Sequence, residues 1–577
     1  MSDLLVRGGL VVDGTGTPAR LADVAVHDGR IAAIGDDAAR SAPPGAARID
    51  ATGLVVAPGF VDVHTHYDAQ VFWDAALTPS CFHGVTSVFA GNCGFTIAPC
   101  PDEHADYLRR MLARVEGMPL ESLEAGVPWG SWQTTAEYFA AVQRSGMGLN
   151  MGFLVGHSAL RRAVLGADAS MRAATAAEID AMAGLLADGL RAGAIGFSSS
   201  AAPTHNDGGG GPVPSRLAAL EELEALARVV GTFPGTVLEM VPGQGTFEDN
   251  VTVLAALSAA ANRVLNWNVL QVNTTIMDLV EDRLSRSEAA AARGARLVPL
   301  TLPDALRTRL SFETGFLLDT LPGWKEAMHL PAAEKLALLA DPAARARLAA
   351  SAATAPRAFL LRGINNWPAM RIGETVAAAN ERHRGRIVGD IAAEEGREPF
   401  DVLCDIVVAD GLRTGVYPPE AGADDESWKL RAEIWRSGRA LPGASDAGAH
   451  LDMISTWSFP TTLLAEAHRT RQLVSLEEAV HYLTGAPAAL YGLRDRGRLA
   501  PGARADLVLF DAATVGPRPT EWRADLPAGA GRLYGEADGI DRVIVNGVEL
   551  VRGGALTGDL PGELIRSGTD TDTVTAR

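Results

Sequence analysis

Lysine is nearly absent from this chain. Among 51 Lys and Arg residues in 577, only Lys325, Lys335 and Lys429 are lysines. A positive balance is absent too: the formal net charge is −19. Nucleic acids and anionic membranes need a basic face, so neither is expected as a partner. Cysteine is scarce. Cys81, Cys93, Cys100 and Cys404 form no CxxC pair and no regular spacing, which excludes a disulfide framework. No apolar run reaches the ~18 residues of a membrane span. The opening MSDLLVRGGLVVDG lacks a basic segment followed by an apolar one and a cleavage site. These absences leave a cytoplasmic protein of ordinary globular composition, 47% hydrophobic and 21% charged.

Both ends of the chain are rich in short strand-like runs broken by Gly or Asp-Gly. LLVRGGLVVDG, ADVAVHDGRIAAIG and ARIDATGLVVAPG open the chain, and GRLAPGARADLVLFD and GIDRVIVNGVELVRGG close it. Residues 1–56 and 490–560 are therefore expected to build one small β-sandwich domain, with 561–577 as a flexible tail. Between them lie eight apolar runs, most separated by helical stretches: 55–66, 84–94, 148–158, 192–200, 235–243, 263–272, 295–303 and 440–450. TAAEIDAMAGLLADGLR is such a helix, with Thr175 as its N-cap. Strand–helix alternation implies a parallel sheet, and eight units imply an α/β fold, a (β/α)8 TIM-like barrel over 57–489. The connection over 304–439 is far too long for one crossover and reads as a helical insertion placed to cover the barrel mouth. The glycine-rich Asp207–Gly211 reads as a mobile loop beside that mouth.

Catalytic groups of such barrels sit at the C-terminal strand ends. The first run ends in His64 and His66, one residue apart. In a strand, residues i and i+2 face the same side, so both imidazoles can reach one ion. Zn²⁺ takes neutral imidazole readily. Cys93, in AGNCG after the second run, offers a thiolate, the alternative being a small core residue. Asp446, in LPGASDAGAH at the eighth, offers a carboxylate able to take a proton from water, the alternative being a helix N-cap. His157, in VGHSALRR, is a candidate for metal binding, oxyanion orientation or substrate contact, or else a structural histidine. His205 on the flexible loop, and Arg161 and Arg162 as carboxylate partners, are weaker candidates.

PGFVDVHTH, the terminal β domain with GRLAPGARADLVLFD, and the aspartate ending the eighth run resemble the amidohydrolase superfamily. Within it, HTHYDAQ, GVTSVFAGNCG, GHSALR, GAIGFS and SDAGAH resemble the N-acyl-D-amino-acid deacylase (D-aminoacylase) group, over residues 1–560. The resemblance implies zinc-dependent hydrolysis of linear C–N amide bonds in small acylated amino acids. It implies His64, His66 and Cys93 as metal ligands and Asp446 as catalytic aspartate and further ligand. It also implies that Cys93 replaces the carboxylated lysine of other relatives, and none of the three lysines ends a run. D-aminoacylases carry zinc-binding histidines on the fifth and sixth strands. Here those runs read GTVLEMVPG and RVLNWNVLQV, without histidine. Glu239 or His157 is then expected to complete a centre of one or two Zn²⁺ ions, with His157 also a candidate catalytic group. A cyclic-amide hydrolase of hydantoinase type, and a metal-poor binding barrel, are the alternatives. A homo-oligomer is left open.

Overall fold

The computed structural model describes residues 3–243, 245–305, 307–355 and 363–577. Eight parallel strands follow one another across a single curled sheet in chain order. They are β1 (Phe60–Asp62), β2 (Val85–Ala90), β3 (Asn150–Gly156), β4 (Gly196–Ser200), β5 (Val237–Val241), β6 (Val264–Trp267), β7 (Arg296–Thr301) and β8 (Leu441–Pro442). The first and last strands meet through the main chain just beyond their ends. The His66 N–H donates to Ala447 O at 2.7 Å and the Asp446 N–H to His64 O at 3.1 Å. The sheet thus closes into the expected barrel. Its interior is a packed core to which every strand region contributes: Val61, Phe89, Leu154, Ile195, Val237, Val264, Leu300 and Ala444 form one buried cluster.

The run 55–66 is two strands rather than one. It breaks at Gly59, where an added Cβ would sit 2.1 Å from Thr86 Oγ1, so only glycine permits the crossing. Val55–Pro58 then leaves the barrel and pairs antiparallel with Leu507–Phe510. This pairing joins the two chain ends into one nine-stranded sheet. Side chains alternate across that sheet as strand geometry requires. Val55, Ala57, Val508, Phe510, Val543 and Val545 pack into the large barrel core. Val56, Leu507, Leu509 and Ile544 face a separate core shared with Leu4, Val6 and Val24.

The helix predicted after Thr175 forms where its cap lies. Ala176–Arg191 starts at a reciprocal capping box between Thr175 and Glu178. The insertion holds its own core around Phe312, Trp324, Leu403 and Val416; its residues 306 and 356–362 lie outside the described residues. Its last helix, Asp425–Arg436, packs Trp428, Ala432 and Trp435 into the barrel core instead. That helix is the crossover feeding β8, so by packing the insertion ends before it rather than at residue 439.

The C-terminal segment departs most from expectation. Residues 561–577 are not a loose tail but a strap along the strand starts. The Ile565 N–H donates to Met151 O, the Val264 N–H donates to Val574 O, and Thr571 Oγ1 donates to Gly235 O. Ile565 is 2% exposed and closes the floor of the barrel core. Polar composition concealed this, because the anchoring is done by main chain and by isolated side chains.

Candidate metal centre

His64 and His66 follow β1 and lie buried at the C-terminal mouth. The His64 N–H donates to Asp62 Oδ1 at 3.2 Å, and Ser445 Oγ donates to Asp62 Oδ2 at 2.5 Å and reaches His64 O at 3.1 Å. These bonds tie the start and end of the barrel at the point where the ring positions are set. Cys93 follows β2 in a short turn. Its Sγ is 3.4 Å from His64 Nε2 and 3.8 Å from His66 Nε2. One donor atom from each of these three residues falls within 4.8 Å of the others. Asp446 approaches from β8, with Oδ1 3.0 Å from His64 Nε2 and 3.5 Å from His66 Nε2.

The backbone is strained where these groups are presented. Cys93 and Asp446 hold left-handed conformations, φ 57° and 52°, each costing on the order of 1 kcal/mol for a residue with a Cβ. Gly448, at φ +92°, lets the loop after β8 pass His66, whose carbonyl an added Cβ would meet at 2.8 Å.

Carboxyl groups crowd the centre. Burial pushes Asp62 and Glu116 up to about 7, Glu239 up to about 8 and Asp68 up to about 6. His66 is raised to about 9: burial works against this, and the nearby Glu116 and Asp446 carboxylates impose it. Asp446 lies well below the usual carboxylate range, held there against burial by the adjoining His64 and His66 rings. Two imidazoles, a thiol and a carboxylate converge within a field of buried acids, which a divalent cation would relieve. The soft sulfur and nitrogen donors suit Zn²⁺ better than Mg²⁺. His64, His66, Cys93 and Asp446 are therefore able to hold one ion.

The other anticipated residues take other partners. Glu239, on β5, borders the centre: its Oε2 accepts the Cys93 N–H at 2.8 Å and fixes that turn, and its Oε1 is buried without a hydrogen-bond partner among the described residues. Asn268, beyond β6, turns its Nδ2 towards His64 Nε2 at 3.3 Å and Cys93 Sγ at 3.8 Å. His157 is not at the centre. It opens the helix His157–Leu165 on the outer side of the strands, and both ring nitrogens are engaged. Nε2 lies 2.8 Å from Glu222 Oε1 and Nδ1 2.9 Å from Ser199 Oγ. Strand alternation explains the placement: Ser198 and Ser200 point inward from β4, so Ser199 points out to meet His157. Arg161 is fully buried and clamps the same Glu222 at 2.7 and 2.5 Å, while Arg162 lies over the Tyr107 ring. Neither is a surface residue awaiting a substrate.

Glu116 escaped the reading of strand ends because it lies at the end of a crossover helix, Ala105–Val115. Its Oε1 is 3.4 Å from His66 Nδ1, on the ring edge opposite Cys93 and Asp446, and its carbonyl accepts the His450 N–H. Asp68 was also missed; it holds the Gly91 N–H at 3.0 Å. Its position two residues after His66 was the available signal.

The amidohydrolase family model matches residues 47–551. D-aminoacylase of Alcaligenes xylosoxydans xylosoxydans is 30% identical over 574 residues, covering 98% of this chain and 97% of that protein. N-acyl-D-glutamate deacylase of the same organism is 31% identical over 558 residues, 94% of this chain and 93% of that one. The structure of N-acyl-D-glutamate deacylase from Bordetella bronchiseptica, complexed with zinc and a phosphonate mimic of the tetrahedral intermediate, superposes with a TM-score of 0.65 at 26% identity. That likeness covers 98% of this chain and 100% of the other.

Proposed function

This chain belongs to the amidohydrolase family, and from that membership we propose that it deacylates N-acyl-D-amino acids with one zinc ion held by His64, His66, Cys93 and Asp446. The convergence of the three donor atoms within 4.8 Å beside Asp446 carries the reading. The D configuration and the acylated amino acid are carried over from the relatives' activities. The four unpaired cysteines support a reducing, cytoplasmic setting.

When bound, the ion supplies Lewis acidity, polarising an acyl carbonyl and acidifying water. Asp446 does the proton work. His64 and His66 are 0% and 2% exposed at their side chains, whereas Asp446 is 34% exposed and so faces the mouth from which water and substrate arrive. Oδ1 faces the two imidazoles, and the second oxygen is left to accept the proton of the attacking water. The same carboxyl then returns that proton to the leaving nitrogen, so the amide C–N bond breaks as the new C–O bond is retained. Glu116 fixes the His66 ring, and Glu239 holds the Cys93 turn.

The test joins elemental analysis to turnover of matched N-acetyl-D- and N-acetyl-L-amino acids. Asp446→Asn is expected to lower kcat by about 10²–10⁴. Near wild-type turnover by this variant with metal bound would refute the assigned role. Well under one metal per chain after supplementation would refute the centre.

A further inference from the structure

The segment THNDGGGGPVPSR after β4 is a braced loop, and the proposed chemistry leaves it unused. Asp207 Oδ1 accepts the Gly209 and Gly211 N–H groups, and Oδ2 accepts the Tyr107 hydroxyl. Arg216 Nη1 donates to His205 O and Asn206 Oδ1. Ser215 Oγ donates to Ser200 O at 2.9 Å, fastening the loop back to the strand it left. Glycine content suggested a mobile loop; these bonds instead fasten the loop around His205, whose carbonyl takes one of them.

The His205 ring meets Phe95 edge-on at 5.1 Å, two residues beyond Cys93. It lies close enough to His66, Asp446 and His450 to feel their charges. Its Nδ1 is 2.7 Å from Ser200 Oγ, and its Nε2 takes no partner among the described residues. Ser200 decides which nitrogen carries the proton. Its oxygen already accepts the Ala202 N–H at 3.1 Å. Ser200 is 0% exposed, so its single hydroxyl hydrogen needs an acceptor, and Nδ1 is the one in reach. The neutral ring then carries its proton on Nε2, the nitrogen that Ser200 leaves free. Burial keeps the imidazole neutral at physiological pH, with its pKa lowered to about 3.

We propose that His205 is a catalytic residue whose Nε2–H donates to the substrate acyl oxygen and strengthens that bond as the oxygen gains negative charge. This rests on the deacylase reading of the same centre. A donor fixed before reaction stabilises developing charge without reorganising. Phe95 and Ser200 hold the ring ready, and Arg216 holds the main chain of His205.

Two measurements test it. The first needs no substrate: long-range proton–nitrogen NMR of histidine-labelled protein, with His205→Gln to assign the signal. The Nε2–H tautomer is expected in the wild type, and the Nδ1–H tautomer would overturn the proposal. The second is kinetic. His205→Ala is expected to lower kcat on the order of 10²–10³ with metal content unchanged and KM within a few-fold, and His205→Gln, which keeps an N–H at similar reach, to recover part of the loss. A raised KM with unchanged kcat would make His205 a ground-state binder and overturn the proposal, as would wild-type kinetics. A metal-loaded wild type without turnover on any acylated D-amino acid would overturn the deacylase reading instead, and the tautomer would still decide whether His205 is poised as a donor.

Discussion

Replacing Glu116 should loosen the metal rather than the chemistry. Its carboxylate is 3% exposed and lies 3.4 Å from His66 Nδ1, which is 2% exposed. At an effective dielectric of ~20, two unit charges at that separation interact by about 5 kcal/mol. An imidazole bound through Nε2 to a cation carries only part of a unit charge at Nδ1, so a quarter to a half of that energy applies. This is about 1.2–2.5 kcal/mol, or about 8- to 70-fold in affinity, which overlaps the range seen when a carboxylate behind a metal-binding histidine is removed. Glu116→Gln preserves volume and an acceptor oxygen, so its loss should fall nearer 10-fold, and Glu116→Ala nearer 70-fold. The assay is competition between metal-free protein and a chromophoric chelator for Zn²⁺ at pH 8, above the value of about 7 to which burial raises Glu116. Activity at saturating metal should recover most of the wild-type kcat, because neither variant alters Asp446. Affinities of both variants within twofold of wild type would refute the idea that Glu116 orients and polarises His66.

Three further outcomes follow from the same geometry. Glu222→Gln leaves Arg161 fully buried without its counter-charge, so unfolding free energy from urea titration should fall by about 3–5 kcal/mol, while kcat per metal-loaded chain stays within about threefold; lost turnover without lost stability would return His157 to the catalytic site. His83 is fully buried between Thr461 Oγ1 and Gly535 O, and burial lowers its pKa to about 4. The unfolded chain takes this proton below ~6.5 and the folded one only near 4, so acidification across that window drains about 3 kcal/mol; the stability gap between wild type and His83→Gln should narrow from pH 7 to 4.5, and parallel curves would refute the assignment. Deleting residues 561–577 removes Ile565 from the barrel floor, worth about 1.5–3 kcal/mol in burial alone, so the thermal midpoint should drop; an unchanged midpoint would mean the strap is idle.

Some of this architecture is written in local patterns. The barrel could be counted because its strands are short apolar runs, most of them separated by helices, one opened by the Thr175–Glu178 capping box. His64 and His66 could be paired because strand alternation is a property of two residues and their neighbours. Cys93 and Asp446 were accessible through their positions at the ends of such runs. Motif and position alone could not separate His157 from these. It too ends a strand, yet it begins a helix one residue after Gly156 and turns outward to Glu222, which is 65 residues away in sequence.

The chain by itself thus determined the class of fold, the family and four of the residues that meet at the centre, since periodicity and strand-end position are encoded within a few neighbouring residues. Tertiary structure alone decided the surroundings. Glu116 reaches His66 from a crossover helix, Glu239 turns to the Cys93 main chain, Ser200 sets the proton of His205, and the last residues return beneath the strands. Each depends on closing the barrel, which brings β1 against β8 and buries polar groups that must then find partners wherever the fold has placed them.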